Sequence, residues 1–182
     1  MRTLKYAILG LVNRQPMTGY DLTNEFNSNH LANFWYAKHS QVYPELSRLA
    51  KEGLLTCEIV IQGEKLEKKL YTITEKGRQE LKKWLDEDEP LGPTPKDIFR
   101  LRMYFSDFMT EEELRMHLQS QIKKHGDKHL GLVRTMTQNH NNIVPPIGTK
   151  EYGDYLVLEG AILREASYIQ WLKNALARME PS

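Results

Sequence analysis

The sequence predicts a mainly α-helical chain with a small β-hairpin, arranged in two parts. Three observations carry that expectation. Apolar residues recur every three or four positions over several long stretches, which is the repeat of one helix face. Two stretches rich in Ile, Val, Thr and Tyr, 54–62 and 68–74, flank a charged turn at Gly63–Glu67 and read as a hairpin. Pro90, Pro93 and Pro95 fall beside the acidic run Asp86–Glu89, where they stop a helix and form a stiff joint. The expected domains are residues 1–89 and 90–182.

Composition narrows the class. Hydrophobic residues are 40% and charged residues 27%, as in an ordinary globular protein. The single Cys57 excludes an intrachain disulfide and a small secreted scaffold. Tyr6–Val12, the longest apolar stretch, is far short of the roughly 20 residues that span a bilayer. The N-terminus lacks a small-residue cleavage pattern and is patterned as a helix, so no membrane role and a cytoplasmic location are expected. The net charge of +1 argues against a highly basic nucleic-acid binder. It hides an asymmetry: residues 1–83 carry 13 basic against 9 acidic residues, and 84–182 carry 12 against 15.

Leu4, Ala7, Ile8, Leu11 and Val12 share a helix face over 3–13, and Gln15-Pro16 ends it. Thr18 followed by Asp21 forms a capping box for a second helix over 19–27, burying Leu22 and Phe26. Ser28–Lys38 is irregular, with Phe34, Trp35 and Tyr36 in succession. In Ser40–Gly53, Val42, Leu46, Leu49 and Ala50 lie on one face. Ser40, Pro44, Ser47 and Lys51 lie opposite, flanked by Gln41, Tyr43 and Arg48. Pro44 belongs near the helix start, and Gly53 ends the helix. This polar, mildly basic face carries groups that hydrogen-bond phosphates or base edges; an ordinary solvated surface is the competing reading.

The hairpin follows, with Lys65, Lys68 and Lys69 at or near its tip. Three helices and then a hairpin is the winged helix-turn-helix order, in which the third helix enters the major groove and the wing reaches the backbone. Lysines on an edge strand also serve solubility alone. A fourth helix, Glu75–Asp86, is expected to pack Leu81, Trp84 and Leu85.

Beyond the joint, Thr94-Pro95-Lys96-Asp97 reads as a helix start, and the helix carries Ile98, Leu101 and Phe105. Thr110–Glu113 is a capping box for a long helix to the mid-130s. Asn139–Gly148 is a loop. In the last helix, from Thr149 to Met179, Leu158, Ile162, Glu165, Ile169, Leu172, Leu176 and Met179 form a heptad seam broken only by Glu165. Tyr155, Leu156, Leu163 and Ala166 add a second side. So wide an apolar surface calls for its own helical domain on one side and a second copy on the other; wholly intrachain packing is the alternative. Leu158, Ile162, Ile169, Leu172 and Leu176 are the expected dimerisation residues.

The stretches LKYAILGLV, MTGYDL, FW followed by AKHSQVYPELSRLAKEGLL, and KLYTITEKGRQELKKWL resemble the PadR family of winged helix-turn-helix transcriptional regulators. GEKLEKKLYTIT and YLVLEGAILREASYIQWL are similar to its long-tailed, phenolic-acid-responsive branch, so the resemblance covers nearly the whole chain. It implies a homodimeric repressor on an inverted-repeat double-stranded DNA operator upstream of a phenolic acid decarboxylase gene, released by p-coumaric or ferulic acid. It implies that Ser40, Gln41, Tyr43 and Pro44 lie nearest the groove, with Ser47 on the same helix. Tyr20 would touch phosphate, and Lys65 and Lys68 would serve the wing. For the effector no motif is as specific. Trp35, His39, Tyr43 and Tyr155 are candidates, because a planar phenol suits an aromatic slot and its carboxylate a cationic or hydrogen-bonding partner. A related repressor that senses a different small molecule, such as a drug, is the alternative.

No phosphate-binding or dinucleotide glycine motif occurs, and no cofactor is expected. Cys57 has no thiolate-activating neighbour in sequence. His125 and His129 have helical metal-ligand spacing but no third ligand, and are expected to be solvated. Enzymatic activity is not expected.

Overall fold

The computed structural model describes residues 2–27, 31, 34–62 and 66–180. They fall into two compact units, Met1–Gly92 and Pro93–Ser182.

In the first unit, α1 (Thr3–Arg14) ends at the extended Gln15. β1 (Met17–Thr18) leads directly into α2 (Gly19–Asn27). The turn between them closes as a capping box: Asp21 N–H donates to Thr18 Oγ1 at 3.2 Å and Thr18 N–H donates to Asp21 Oδ2 at 3.1 Å. β2 (Leu55–Gln62) and β3 (Leu66–Ile73) form the expected hairpin, with Cys57 opposite Tyr71. The sheet has a third strand that the sequence did not signal: β1 pairs with β3, Met17 opposite Tyr71, in the order β1-β3-β2. Two residues are too short to show the alternation of a strand.

α3 (His39–Lys51) places Pro44 in the sixth position, deeper than the first turn that the sequence suggested. Pro44 brings no N–H to the Ser40 carbonyl, and its ring is exposed. The helix ends as expected. Gly53 adopts φ +71°, Gly53 N–H donates to Ala50 O at 3.1 Å, and Leu54 N–H donates to Leu49 O at 2.9 Å. That is the Schellman pattern, and buried Leu54 and Leu49 supply its apolar contact. α4 (Glu75–Leu85) is capped by Thr74, whose Oγ1 accepts from Gly77 N–H at 3.0 Å. At Gly77 the helix lies directly on backbone: a Cβ there would stand 2.3 Å from Leu54 O. The core is built on Ile8, Leu9, Leu22, Phe26, Val42, Leu46 and Leu49. Leu81 joins it and Trp84 packs at its margin, but Leu85 is exposed, contrary to expectation.

In the second unit, α5 (Ile98–Tyr104) starts three residues after the expected Pro95. Asp97, not Thr94, is its cap: the carboxylate accepts from Arg100 N–H at 3.0 Å and from Tyr168 Oη at 2.8 Å. A cap with a second, tertiary partner wins over one with a local preference alone. Ile98, Leu101 and Phe105 are all exposed. A 3-10 turn (Ser106–Phe108) leads to α6 (Glu111–His140). The Thr110–Glu113 capping box forms, and α6 runs about a turn beyond the mid-130s, to a left-handed Asn141. α7 (Lys150–Ala177) is capped by Thr149 and runs antiparallel to α6, with contacts at Arg115 to Met179, His125 to Glu165 and His140 to Tyr155.

Candidate nucleic-acid interface and effector residues

The buried stripe of α3, Val42, Leu46 and Leu49, fixes which side chains face outward. Ser40, Gln41, Tyr43, Pro44 and Ser47 are all exposed, as is Tyr20 on α2. Gln41 Oε1 accepts from Lys38 N–H at 2.9 Å, which holds the side chain at the helix start and leaves its amide hydrogens outward. Ser47 donates to Tyr43 O at 3.1 Å, so its oxygen remains an acceptor. Lys38, Arg48 and Lys51 add exposed positive charge around this face.

Tyr43 is the most constrained of these side chains. Its ring lies on the backbone of Gly19, where a Cβ would come within 2.7 Å of Cε1, and it leans on His39 with centroids 4.4 Å apart. Behind it, the Tyr71 hydroxyl is pushed up to about 12 by burial, by its hydrogen bond and charge interaction with the Cys57 thiol, and by Tyr43. Cys57 is therefore an exposed thiol paired with a tyrosine.

α3 also takes part in an ion-pair cluster that the sequence pattern did not reveal. Glu45 is buried on the helix and accepts from Arg2 Nη2 at 2.6 Å and Nε at 3.0 Å. Arg2 also meets Glu52 at 2.6 Å, and Arg48 meets Glu45 at 3.4 Å. The hydrogen bond from Arg2 holds the Glu52 carboxyl below the usual range, and Glu52 in turn raises Arg2. A buried carboxylate needs such a partner, so the start of α1 is tied to the middle and the end of α3. Lys5 makes the equivalent tie to Glu80 of α4 at 2.6 Å.

At the wing, Lys68 is half-buried on β3, and Lys65 lies outside the described residues. Of the four effector candidates, Trp35, His39 and Tyr43 lie in the first unit and Tyr155 in the second. His39 and Tyr43 touch each other on exposed α3. Trp35 packs at the margin of the first unit's core, and its buried Nε1–H has no acceptor. Tyr155 belongs to the second unit, where it donates to Glu159 Oε1 at 3.3 Å and meets His140 edge-on.

Part of the expected dimerisation seam is already buried in the single chain. Leu158 and Leu172 are buried, and Leu158 and Ile162 pack with Leu132, Met136 and Ala161. Ile169 and Leu176 are half-buried. The seam faces α6 because α6 supplies an apolar partner stripe in the same unit. The apolar groups that α7 leaves exposed are Leu156, Val157, Leu163 and Trp171. Glu165 does not break the seam idly. It is buried, and it meets His125 Nδ1 at 2.5 Å, Lys128 Nζ at 2.9 Å and Arg164 at 3.6 Å. Burial opposes its ionisation, but hydrogen bonds from Lys128 and His125 outweigh this and hold its pKa below the usual value. His125 is thus not a solvated histidine; its carboxylate partner stands 40 residues away in sequence, out of reach of a local motif. No group of three or more metal-ligating side chains occurs among the described residues.

These features have close counterparts. Residues 8–83 match the transcriptional regulator PadR-like family, and residues 95–180 match the virulence activator alpha C-terminal family. The chain is 41% identical over 181 residues to the negative transcriptional regulator PadR of Bacillus subtilis, covering 99% of each chain. The chain belongs to the PadR family of transcriptional regulators. Its fold is that of the family's winged helix with a C-terminal helical region. It matches B. subtilis PadR in complex with operator DNA at a TM-score of 0.93 and 41% identity, over 98% of this chain and 100% of that one. It matches B. subtilis PadR in complex with p-coumaric acid at 0.86 and 38%, over 99% and 100%. The Vibrio cholerae virulence activator AphA aligns at 0.72 and 29%, over 97% of both chains. The family and this relative are transcriptional regulators, not enzymes.

Proposed function

We propose that the chain is a cytoplasmic, homodimeric repressor. It binds an inverted-repeat operator upstream of a phenolic acid decarboxylase gene and leaves it when a hydroxycinnamic acid such as p-coumaric or ferulic acid binds. The observation that carries this reading is the 41% identity, along 99% of both chains, to a negative regulator. That regulator has been solved with operator DNA and with p-coumaric acid. In support, α3 presents Ser40, Gln41, Tyr43, Pro44 and Ser47 outward together, while its opposite face is buried. α3 then reads base edges in the major groove, Tyr20 meets phosphate, and Lys65 and Lys68 meet the backbone beside it.

The test is fluorescence anisotropy with a labelled inverted-repeat duplex. The wild type binds with an affinity that falls steeply with salt. Gln41→Ala and Tyr43→Ala each weaken binding by about 1–3 kcal/mol, the range for a base contact. Wild-type affinity in both variants would refute the assignment of α3. Millimolar p-coumarate releases the duplex; release by a non-phenolic compound instead would make this a family member that senses another small molecule.

A further inference from the structure

Arg2 stands at the start of α1, and its one guanidinium reaches two turns of α3. Nε and Nη2 donate to Glu45 Oε1 at 3.0 and 2.6 Å, and Nη1 donates to Glu52 Oε1 at 2.6 Å. Glu45 and Glu52 are two helical turns apart, so their backbone positions differ by roughly 10 Å along the axis. A planar fork of donors grips both carboxylates at once, which a lysine ammonium, a point charge, does not do. Two cations, Arg2 and Arg48, meet two carboxylates, so the cluster adds no net attraction for phosphate.

The other restraints on α3 leave one motion open. Val42, Leu46 and Leu49 meet the core through apolar packing, which has no direction of its own and admits a small roll of the helix. A roll of about 20° moves a side-chain tip at a radius of about 5–6 Å by roughly 2 Å. That is more than a hydrogen bond of about 2.7–3.2 Å tolerates. The bond from Lys38 N–H to Gln41 steadies the first turn alone, and Pro44 interrupts the hydrogen-bond ladder between that turn and the rest. Arg2 opposes the roll because α1 is itself fixed in the core by Ile8, Leu9 and Val12.

We propose that Arg2 is a positioning residue for operator recognition: by gripping Glu45 and Glu52 together, it fixes the roll of α3 at which Ser40, Gln41 and Tyr43 meet base edges. It acts through α3 and not by touching DNA. This rests on the reading of α3 as the DNA-reading helix. What Arg2 supplies is specificity, since phosphate contacts from long, flexible lysines carry no sequence information and tolerate a shift that a base contact does not.

Arg2→Lys keeps the charge and loses the fork, and Arg2→Ala loses both. Full-length proteins are titrated by anisotropy with the inverted-repeat duplex and with a scrambled duplex of equal length, over a salt series and well below each melting temperature. On the inverted repeat, Arg2→Lys loses about fivefold and Arg2→Ala about tenfold, the scale of one base contact. On the scrambled duplex both stay within about twofold of wild type, and the salt slope is unchanged. In a protein that already carries Gln41→Ala and Tyr43→Ala, the loss from Arg2→Lys shrinks below about twofold, because few base contacts remain to be misplaced. Wild-type affinity in Arg2→Lys, with a salt slope about 0.9 shallower in Arg2→Ala on both duplexes, would make Arg2 a phosphate contact and overturn the proposal. A lower melting temperature in Arg2→Lys with affinity for the inverted repeat intact would reduce its role to stability and overturn it too. Either result leaves the reading of α3 standing. Wild-type affinity in Gln41→Ala and Tyr43→Ala refutes that reading, and this role of Arg2 with it.

Discussion

Tyr43 shows how much one contact decides at the scale of a residue. The missing side chain of Gly19 gives the tyrosine ring a seat on backbone, so its hydroxyl end is aimed by packing and not left to rotate. Gly19→Ala would push a methyl group into that ring. The ring is half-exposed and can swing away, so little stability is lost, and alanine suits the first turn of α2 better than glycine does. The variant is expected to keep or raise the melting temperature while losing about tenfold in operator affinity, toward the level of Tyr43→Ala. Thermal melting and anisotropy on the same preparation check both halves. A fall in melting temperature that matches the loss in affinity would show Gly19 to be purely structural.

Among the elements, those with strong local chemistry were legible in sequence and those fixed by distant partners were not. The Thr18–Asp21 and Thr110–Glu113 boxes, and Gly53 at the end of α3, form as their residue types require. Thr94-Pro95 has equally good local chemistry, yet Asp97 takes the cap because Tyr168, on α7, binds the same carboxylate. β1 exists only because β3 offers it an edge. Of the site, the outward face of α3 was readable from its period, whereas the seat of the Tyr43 ring on Gly19 was not, since it joins α3 to the separate α2. Glu165 belongs with the unreadable features, since its value depends on the facing His125 and Lys128 of α6 and on Arg164 beside it. Its folded pKa lies below its ordinary one, so its ionised form stabilises the pairing of α6 with α7. That contribution is complete above the unfolded pKa and is lost as pH falls through the folded value. Glu165→Gln should destabilise this pair at pH 7 by about 1.5–3 kcal/mol, the range for hydrogen bonds to charged groups. Half-exposed Lys128 draws the value toward the lower end. The gap between wild type and variant should close as pH drops below about 4. Native-state hydrogen exchange of α7 amides across this range reads the gap directly; a gap constant with pH would deny Glu165 its charge.

At the scale of the whole molecule, near-neutrality and DNA binding are reconciled by where the charge sits and how many copies present it. The excess of basic residues lies in residues 1–83, with the α3 face and the wing, and the acidic excess lies in the rest. Four net charges are few for one DNA-binding domain, so two copies on one inverted repeat matter more than they would for a strongly basic protein. The second unit has the surface for that pairing. Leu156, Leu163 and Trp171 on α7, with Ile98, Leu101 and Phe108 before α6, leave apolar side chains in water after α6 and α7 have packed. Leu163 is 60% exposed, so Leu163→Asp removes nothing from the core of its own unit while placing a charge in any interface formed there. The variant is expected to be monomeric by light scattering and unaltered in helix content. A monomer neutralises about half as many phosphates, so the slope of log affinity against log salt should fall about twofold, since each phosphate contributes about −0.9. Weaker binding at an unchanged slope would mean that both copies still engage the operator and that Leu163 lies outside the interface. Only a halved slope ties the apolar surface of α7 to the number of winged domains on the DNA.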